Sequence, residues 1–473
     1  MPTAGVLFAL LTGVLILCVR APAWAFAAAL LLFTFEGTVK VGLSVDGAPS
    51  PAAVGAAALD LALFGSLVAL LVSDRGRTPS RVWANASLPE RAAIAMLCGW
   101  LFLSVLQIPF SGDLVDALEG ARVTQSYLVV ALGGMILAAR LSPERVALVL
   151  LGVVGLAVAY GALRGLTGPA HAERAYAELR TPNASFDDLA RDTGSFTAAM
   201  GLVSFLVPAG LLCLAFALLR VRWPVLTAAL FVLAMVGVIA SYVRTGLLAV
   251  VAGAALLTLL LLTRPGAARR RGAIALATAG VILVGGYAGT VLAGEAHPAT
   301  EWRAKTLAHP LSDNSVTTRF DHWGHVLDQV AEEPFGSGLG TVGRATADGH
   351  RAVSTDNSYL KVLREQGIAG AVLFVLGLVV LLTSIAVRLV RANPIRRPLG
   401  SASLVAVAGF LVLMVMAEYI EQPGKVLVWT LLGVAAWDAI GRDQRDWGPY
   451  AELPAELPTV PEPALPAHIA TPV

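Results

Sequence analysis

Apolar and polar positions along this chain come in long blocks, not at the two-residue period of a half-buried strand. Runs rich in Leu, Val and Ala fall near 3–19, 22–35, 51–73, 92–110, 123–139, 146–163 and 195–219. Six more follow near 224–241, 245–263, 272–293, 366–387, 400–417 and 426–440. A helix needs about 20 apolar residues to cross the hydrocarbon core of a bilayer, and most of these runs approach that length. The pattern predicts an all-α polytopic membrane protein with twelve or thirteen transmembrane helices over residues 1–440. The first run, Ala4 to Val19, lacks a basic segment before it and a small-residue cleavage site, so it reads as a span and not as a removed signal peptide.

Composition narrows the class further. Of the 473 residues, 57% are apolar and 14% are charged, against about 25% charged in an average soluble domain. Mean hydropathy is +0.74. These values exclude a soluble globular enzyme and a disordered protein. A net charge of +2 with no basic face excludes a nucleic-acid binder. Cys18, Cys98 and Cys213 lie in apolar runs and are expected as small core residues. No CxxC or HExxH spacing occurs, so no metal site and no cofactor is expected.

Arginines in short loops set the orientation, because such loops stay cytoplasmic. Arg75, Arg77, Arg81 and Arg91 mark one loop, and Arg140 with Arg145 another. Arg220 and Arg222, then Arg264 with Arg269, Arg270 and Arg271, and finally Arg388, Arg391, Arg396 and Arg397 mark three more. The loops between them, 36–50, 111–122, 164–194, the turn at Arg244 and 294–365, fall on the external face. The Pro-rich stretch 441–473 is expected to be a disordered cytoplasmic tail.

The polar chemistry collects outside. Segment 294–365 is too long for a simple connection, and long loops on a rigid scaffold are where a membrane enzyme carries its chemistry. Within it, Val316, Phe320, Trp323, Leu327 and Val330 recur at helical spacing, after a Ser312-Asp313-Asn314 cap cluster and before Pro334. Arg319 sits beside that stripe. Gly336, Gly338 and Gly340 follow, where backbone can approach backbone or ligand closely. A second short helix opens near Asn357 and runs towards the next span. Arg244 falls at the external mouth with almost no loop to carry it into water, a costly place for a charge without a function or a partner. Asp60 and Asp438, alone within apolar runs, are expected to be structurally paired. Glu418 and Glu421 edge the last external turn, where they are weak candidates for binding acceptor sugar.

In order and spacing these residues resemble the O-antigen ligase and O-antigen polymerase family of membrane glycosyltransferases over roughly 224–387. The residues that carry the resemblance are Arg244-Thr245-Gly246, Arg319 with Trp323, the run Pro334, Gly336, Gly338 and Gly340, and a closing Asn357, Tyr359, Leu360, Leu363, Glu365, Gly367 and Gly370. The resemblance implies a metal-independent, inverting transfer of a glycan from an undecaprenyl-diphosphate donor to a hydroxyl on a glycan or lipid acceptor, at the external face of the bacterial inner membrane. It implies that Arg244 and Arg319 bind the diphosphate as bidentate guanidinium forks. It implies further that Trp323, Gly336, Gly338, Gly340, Asn357 and Tyr359 line the substrate site.

The family's ligases carry histidine where this chain has Asp356. That departure shifts weight from a lipid A-core ligase to a polysaccharide polymerase. Aspartate can act as the base, or Asp356 can instead cap the helix that follows. His322, His325 and His350 lie in the same loop, and one of them can replace the missing histidine. The alternative function is a transporter or lipid-linked glycan flippase with no chemistry, which requires charges deep within several spans.

Overall fold

Each of the thirteen apolar runs is helical in the computed structural model, which describes residues 2–43, 49–168, 185–186, 189–190, 194–196, 198–221, 223–241, 243–263, 266–296, 314–343 and 355–442. The N-terminal helices are α1 (Pro2–Arg20), α2 (Pro22–Phe33), α3 (Glu36–Leu43), α4 (Pro49–Asp74) and α5 (Arg77–Asn85). They continue with α6 (Leu88–Gln107), α7 (Leu114–Gly120), α8 (Val130–Arg140) and α9 (Pro143–Thr167). After a two-residue ladder pairing 185–186 with 189–190 come α10 (Ala199–Leu218), α11 (Pro224–Ala240), α12 (Arg244–Leu262) and α13 (Ala267–Ala296). The last four are α14 (Asn314–Glu332), α15 (Ser358–Ala392), α16 (Pro398–Met416) and α17 (Lys425–Ala436). Ser312, Asp313, His350, most of 164–194 and the Pro-rich tail beyond residue 442 lie outside the described residues.

Among the described residues, eight helices are long and apolar enough to cross a membrane, and three more are apolar but shorter. The chain is an all-α polytopic membrane protein. Local chemistry sets the helix starts. Pro22, Pro143, Pro224 and Pro398 open their helices, where a missing N–H costs nothing. Ser87 and Glu90 form a capping box on α6, with the Ser87 N–H donating to Glu90 Oε2 at 2.6 Å.

Helix α10 is apolar on every side and buried along nearly its whole length, so it is the central post of the bundle. It packs against α11, α12 and α16, while α15 packs on α6 and α17 on α8. The isolated acids are paired, as expected of structural charges. Asp60 receives Arg122 and the Tyr127 hydroxyl, and Asp438 accepts from the Gly400 N–H at 2.9 Å and pairs with Arg442 at 3.4 Å. Of the cysteines, Cys213 is buried, but Cys98 is exposed on the outer side of α6 and Cys18 is half-exposed. The core reading fails for Cys98 because an apolar run that crosses a membrane has a lipid-facing side as well as a packed one.

Contacts sort the loops into two ends. At one, Arg388 pairs with Glu90 at 2.5 Å, Arg140 with Asp74 at 3.6 Å, and Arg81 lies over Trp437. These are the arginine-rich segments assigned to the cytoplasm. At the other, segments 111–116, 334–343, 355–367 and 418–421 meet. That second end holds the polar chemistry.

Candidate functional site

The base of the site is a buried ionic knot. Lys361, one turn into α15, is fully buried and pairs with Glu365 at 2.6 Å and with Glu421 at 3.0 Å. Its Nζ also donates to the carbonyl of Val342. Glu421 and Glu418 belong to the turn between α16 and α17 and are 6% and 9% exposed. Glu418 accepts from the Thr355 N–H at 2.7 Å and from its hydroxyl at 2.9 Å. Burial and the neighbouring Glu421 push the Glu418 carboxyl above the usual carboxylate range, and Lys361 and Thr355 pull against that shift. The two glutamates are therefore committed to the scaffold, which removes them as a free surface for acceptor sugar. The lysine drew no notice in the sequence; its signal is the i,i+4 pair with Glu365.

The glycine run closes over this knot. The Ser337 and Gly338 N–H groups donate to the carbonyls of Arg364 and Glu365 at 2.9 and 3.0 Å, and the Gly340 N–H donates to Glu365 Oε1 at 3.1 Å. A Cβ at Gly336 would lie 2.4 Å from the Glu365 carbonyl oxygen, and one at Gly340 would lie 2.0 Å from that of Asp116. Both residues have positive φ, 88° and 74°. A Cβ at Gly338 would meet Ser111 less tightly, 3.0 Å from its hydroxyl and 3.2 Å from its Cα. The close approach expected of these three glycines is to protein backbone, and it seats the loop on α15 and on the 111–117 segment.

Helix α14 packs against α15, and the ion pair of Glu333, which follows it, with Arg364 fastens its C-terminal end. Its orientation differs from the expected one. Val326 and Val330 are 1% and 6% exposed, while Phe320 and Leu327, placed in the apolar stripe by sequence, are 56% and 52% exposed. At about 100° per residue, the bundle-facing side is rotated by about 50° from the stripe. The rotation moves Arg319 from beside the packed face to its middle, in line with Trp323, Val326 and Val330. Apolar residues beside a membrane need not face protein, so the stripe alone misjudges the packed side. The ring of Trp323 meets Phe320 edge-on at 5.3 Å, and its Nε1 is buried with no hydrogen-bond partner among the described residues.

His322, three residues after Arg319 and thus on a neighbouring part of the same face, points its Nδ1 at Asp356 Oδ2, 3.6 Å away. Asp356 has a left-handed backbone (φ 46°), uncommon for a residue with a Cβ. It does not cap the following helix. Asn357 does, accepting from the Tyr359 and Leu360 N–H groups at 2.8 and 3.1 Å. Tyr359 donates its hydroxyl to the Leu411 carbonyl at 2.9 Å. Asn357 and Tyr359, expected to touch substrate, thus each hold part of the scaffold.

Because Asn357 supplies the cap, a change at Asp356 leaves the helix start intact. Asp356→Gly should keep thermal stability within about 1 kcal/mol of the parent, since relief of the left-handed strain offsets the added freedom of the unfolded chain. Glycan transfer should fall sharply. Calorimetry in detergent beside a turnover assay checks both.

Arg244 opens α12 and is half-buried. The next residue, Thr245, lies with its Oγ1 3.2 Å from the Tyr419 hydroxyl, in the turn that also holds Thr355 through Glu418. A path of contacts and chain neighbours therefore runs from His322 through Asp356 and Thr355 to the 418–421 turn and the start of α12. The three residues singled out as catalytic, Asp356, Arg319 and Arg244, come to the same end of the bundle. His325 instead faces Gln329 at 2.9 Å. No group of three or more metal-binding side chains occurs among the described residues.

No curated protein matches the chain. Residues 228–375 match the family model described as O-antigen ligase (Wzy_C). That segment spans most of α11, then α12 to α14, the glycine run and the first half of α15, and so includes Arg244, Arg319, His322 and Asp356. Over this segment, about a third of its length, the chain is similar to the O-antigen ligase family.

Proposed function

We propose that the protein transfers or polymerises a glycan carried on undecaprenyl diphosphate, joining it to a hydroxyl acceptor at the external face of the bacterial inner membrane. The observation that carries this reading is Arg319 on the packed face of α14, one turn from a carboxylate–imidazole pair. A group-transfer site needs a cation for the leaving diphosphate and a proton acceptor for the attacking hydroxyl, and these residues supply both. In this reading Arg319 and Arg244 bind the diphosphate oxygens, and Asp356 anchors the proton-accepting side. The orphaned indole N–H of Trp323 is a ready donor to a sugar or phosphate oxygen. The exposed Phe320 and Leu327 offer an apolar face to the prenyl chain or to lipid.

In the step itself, the acceptor oxygen bonds to the anomeric carbon from the face opposite the diphosphate. The carbon–oxygen bond to phosphate breaks, and its electron pair leaves on the lipid diphosphate. With two guanidinium groups to take up that charge, a divalent ion is not needed. Aspartate in place of the ligases' histidine favours the polymerase form over ligation to lipid A-core.

Incubating the purified protein with its lipid-linked repeat unit as sole substrate tests this. A polymerase yields a ladder of longer lipid-linked glycans, undiminished by EDTA. A product only when a separate acceptor is added would assign a ligase, and loss in EDTA restored by magnesium would refute metal independence.

A further inference from the structure

The arrangement around Asp356 assigns the proton transfer more closely, and this assignment rests on the glycosyl-transfer reading above. His322 Nδ1 is shielded from solvent and has no hydrogen-bond partner among the described residues within normal range. Its nearest carboxylate oxygen is Asp356 Oδ2, 3.6 Å away. Yet the His322 side chain as a whole is 43% exposed. The exposure therefore falls on the rest of the side chain, which includes Nε2. A carboxylate facing Nδ1 favours the tautomer with its proton on that nitrogen, and Nε2 then carries the lone pair. The same arrangement orients and activates imidazole in other nucleophilic sites.

We propose that His322 is the general base of the reaction and that Asp356 is its positioning residue. The imidazole that the ligases carry just before the asparagine is here delivered from a different element, α14. Its partner carboxylate occupies the vacated position. Nε2 takes the proton of the acceptor hydroxyl as the oxygen bonds to the anomeric carbon, and the electron pair of the breaking bond leaves on the diphosphate. The imidazolium then returns its proton to water. Placing base and leaving-group cation three residues apart on one helix fixes their separation whatever acceptor arrives. It also accounts for the left-handed backbone of Asp356, which turns the carboxylate towards α14 while Asn357 caps α15.

The test measures turnover of a lipid-linked repeat unit by protein in nanodiscs. General-base catalysis is worth about 10²–10⁴ in rate, so His322→Gln should lower kcat by that factor with little change in KM. Added imidazole should partly restore His322→Gly, which a merely structural histidine would not allow. Asp356→Asn should be impaired alone but should cost nothing further in the His322→Gln background. A His322→Gln variant within threefold of an active parent, or fully additive losses, would overturn the assignment while leaving glycosyl transfer intact. A parent that transfers no glycan would overturn both.

Discussion

Arg319→Ala is expected to lower glycan transfer by about 10²–10³-fold, the usual cost of removing one charged partner from a transition-state oxygen. Expression and membrane insertion should be unchanged. Arg319 is half-exposed, and its loss breaks no hydrogen bond or ion pair among the described residues. Its place on the α14 face that carries the buried Val326 and Val330 turns it towards the mouth of the bundle. Arg319→Lys keeps the charge but lacks the planar fork that grips two phosphate oxygens at once, and it should remain strongly impaired. Initial rates at saturating lipid substrate check both variants. Full activity in Arg319→Ala would remove the diphosphate role.

The second large effect is on stability. Lys361→Met should destabilise this end of the bundle by about 3–5 kcal/mol, the cost of leaving buried charge uncompensated. Lys361 sits among three buried glutamates, with Glu365 and Glu421 in direct contact and Glu418 beside them, while Lys425 reaches only the backbone carbonyl of Glu421 among these residues. The Lys361 Nζ also holds the Val342 carbonyl, so the glycine run should loosen with it. The expected result is a lower unfolding temperature in detergent and new protease cleavage within 334–343. Adding Glu365→Gln and Glu421→Gln should recover much of the loss, because neutral side chains of similar size do not need the cation. Wild-type stability in Lys361→Met alone would contradict this account of the knot.

What the sequence revealed follows the physics of each level. Membrane spans are legible because hydrocarbon imposes one requirement, apolarity over a fixed length, on every residue in turn. The glycine run is legible for a similar reason, since close backbone approach excludes nearly every other side chain. The facing of α14 was not legible. Phe320 and Leu327 are apolar, yet they sit outward, and only the packing of Val326 and Val330 reveals the true face. The burial of Lys361 with Glu365 was not legible either, because it depends on the 418–421 turn, some sixty residues on. The cap on α15 could be Asp356 or Asn357 by residue type. The cap falls to Asn357, while Asp356 faces His322, a contact between residues 34 positions apart that no local pattern announces.

The most direct test is the release of undecaprenyl diphosphate from a lipid-linked glycan by purified protein in nanodiscs, parent against Arg319→Ala at equal loading. The account predicts release by the parent, matched one for one by new glycosidic bonds, and a loss of about 10²–10³-fold in the variant. Absence of release by the parent, or equal release by both proteins, would contradict it.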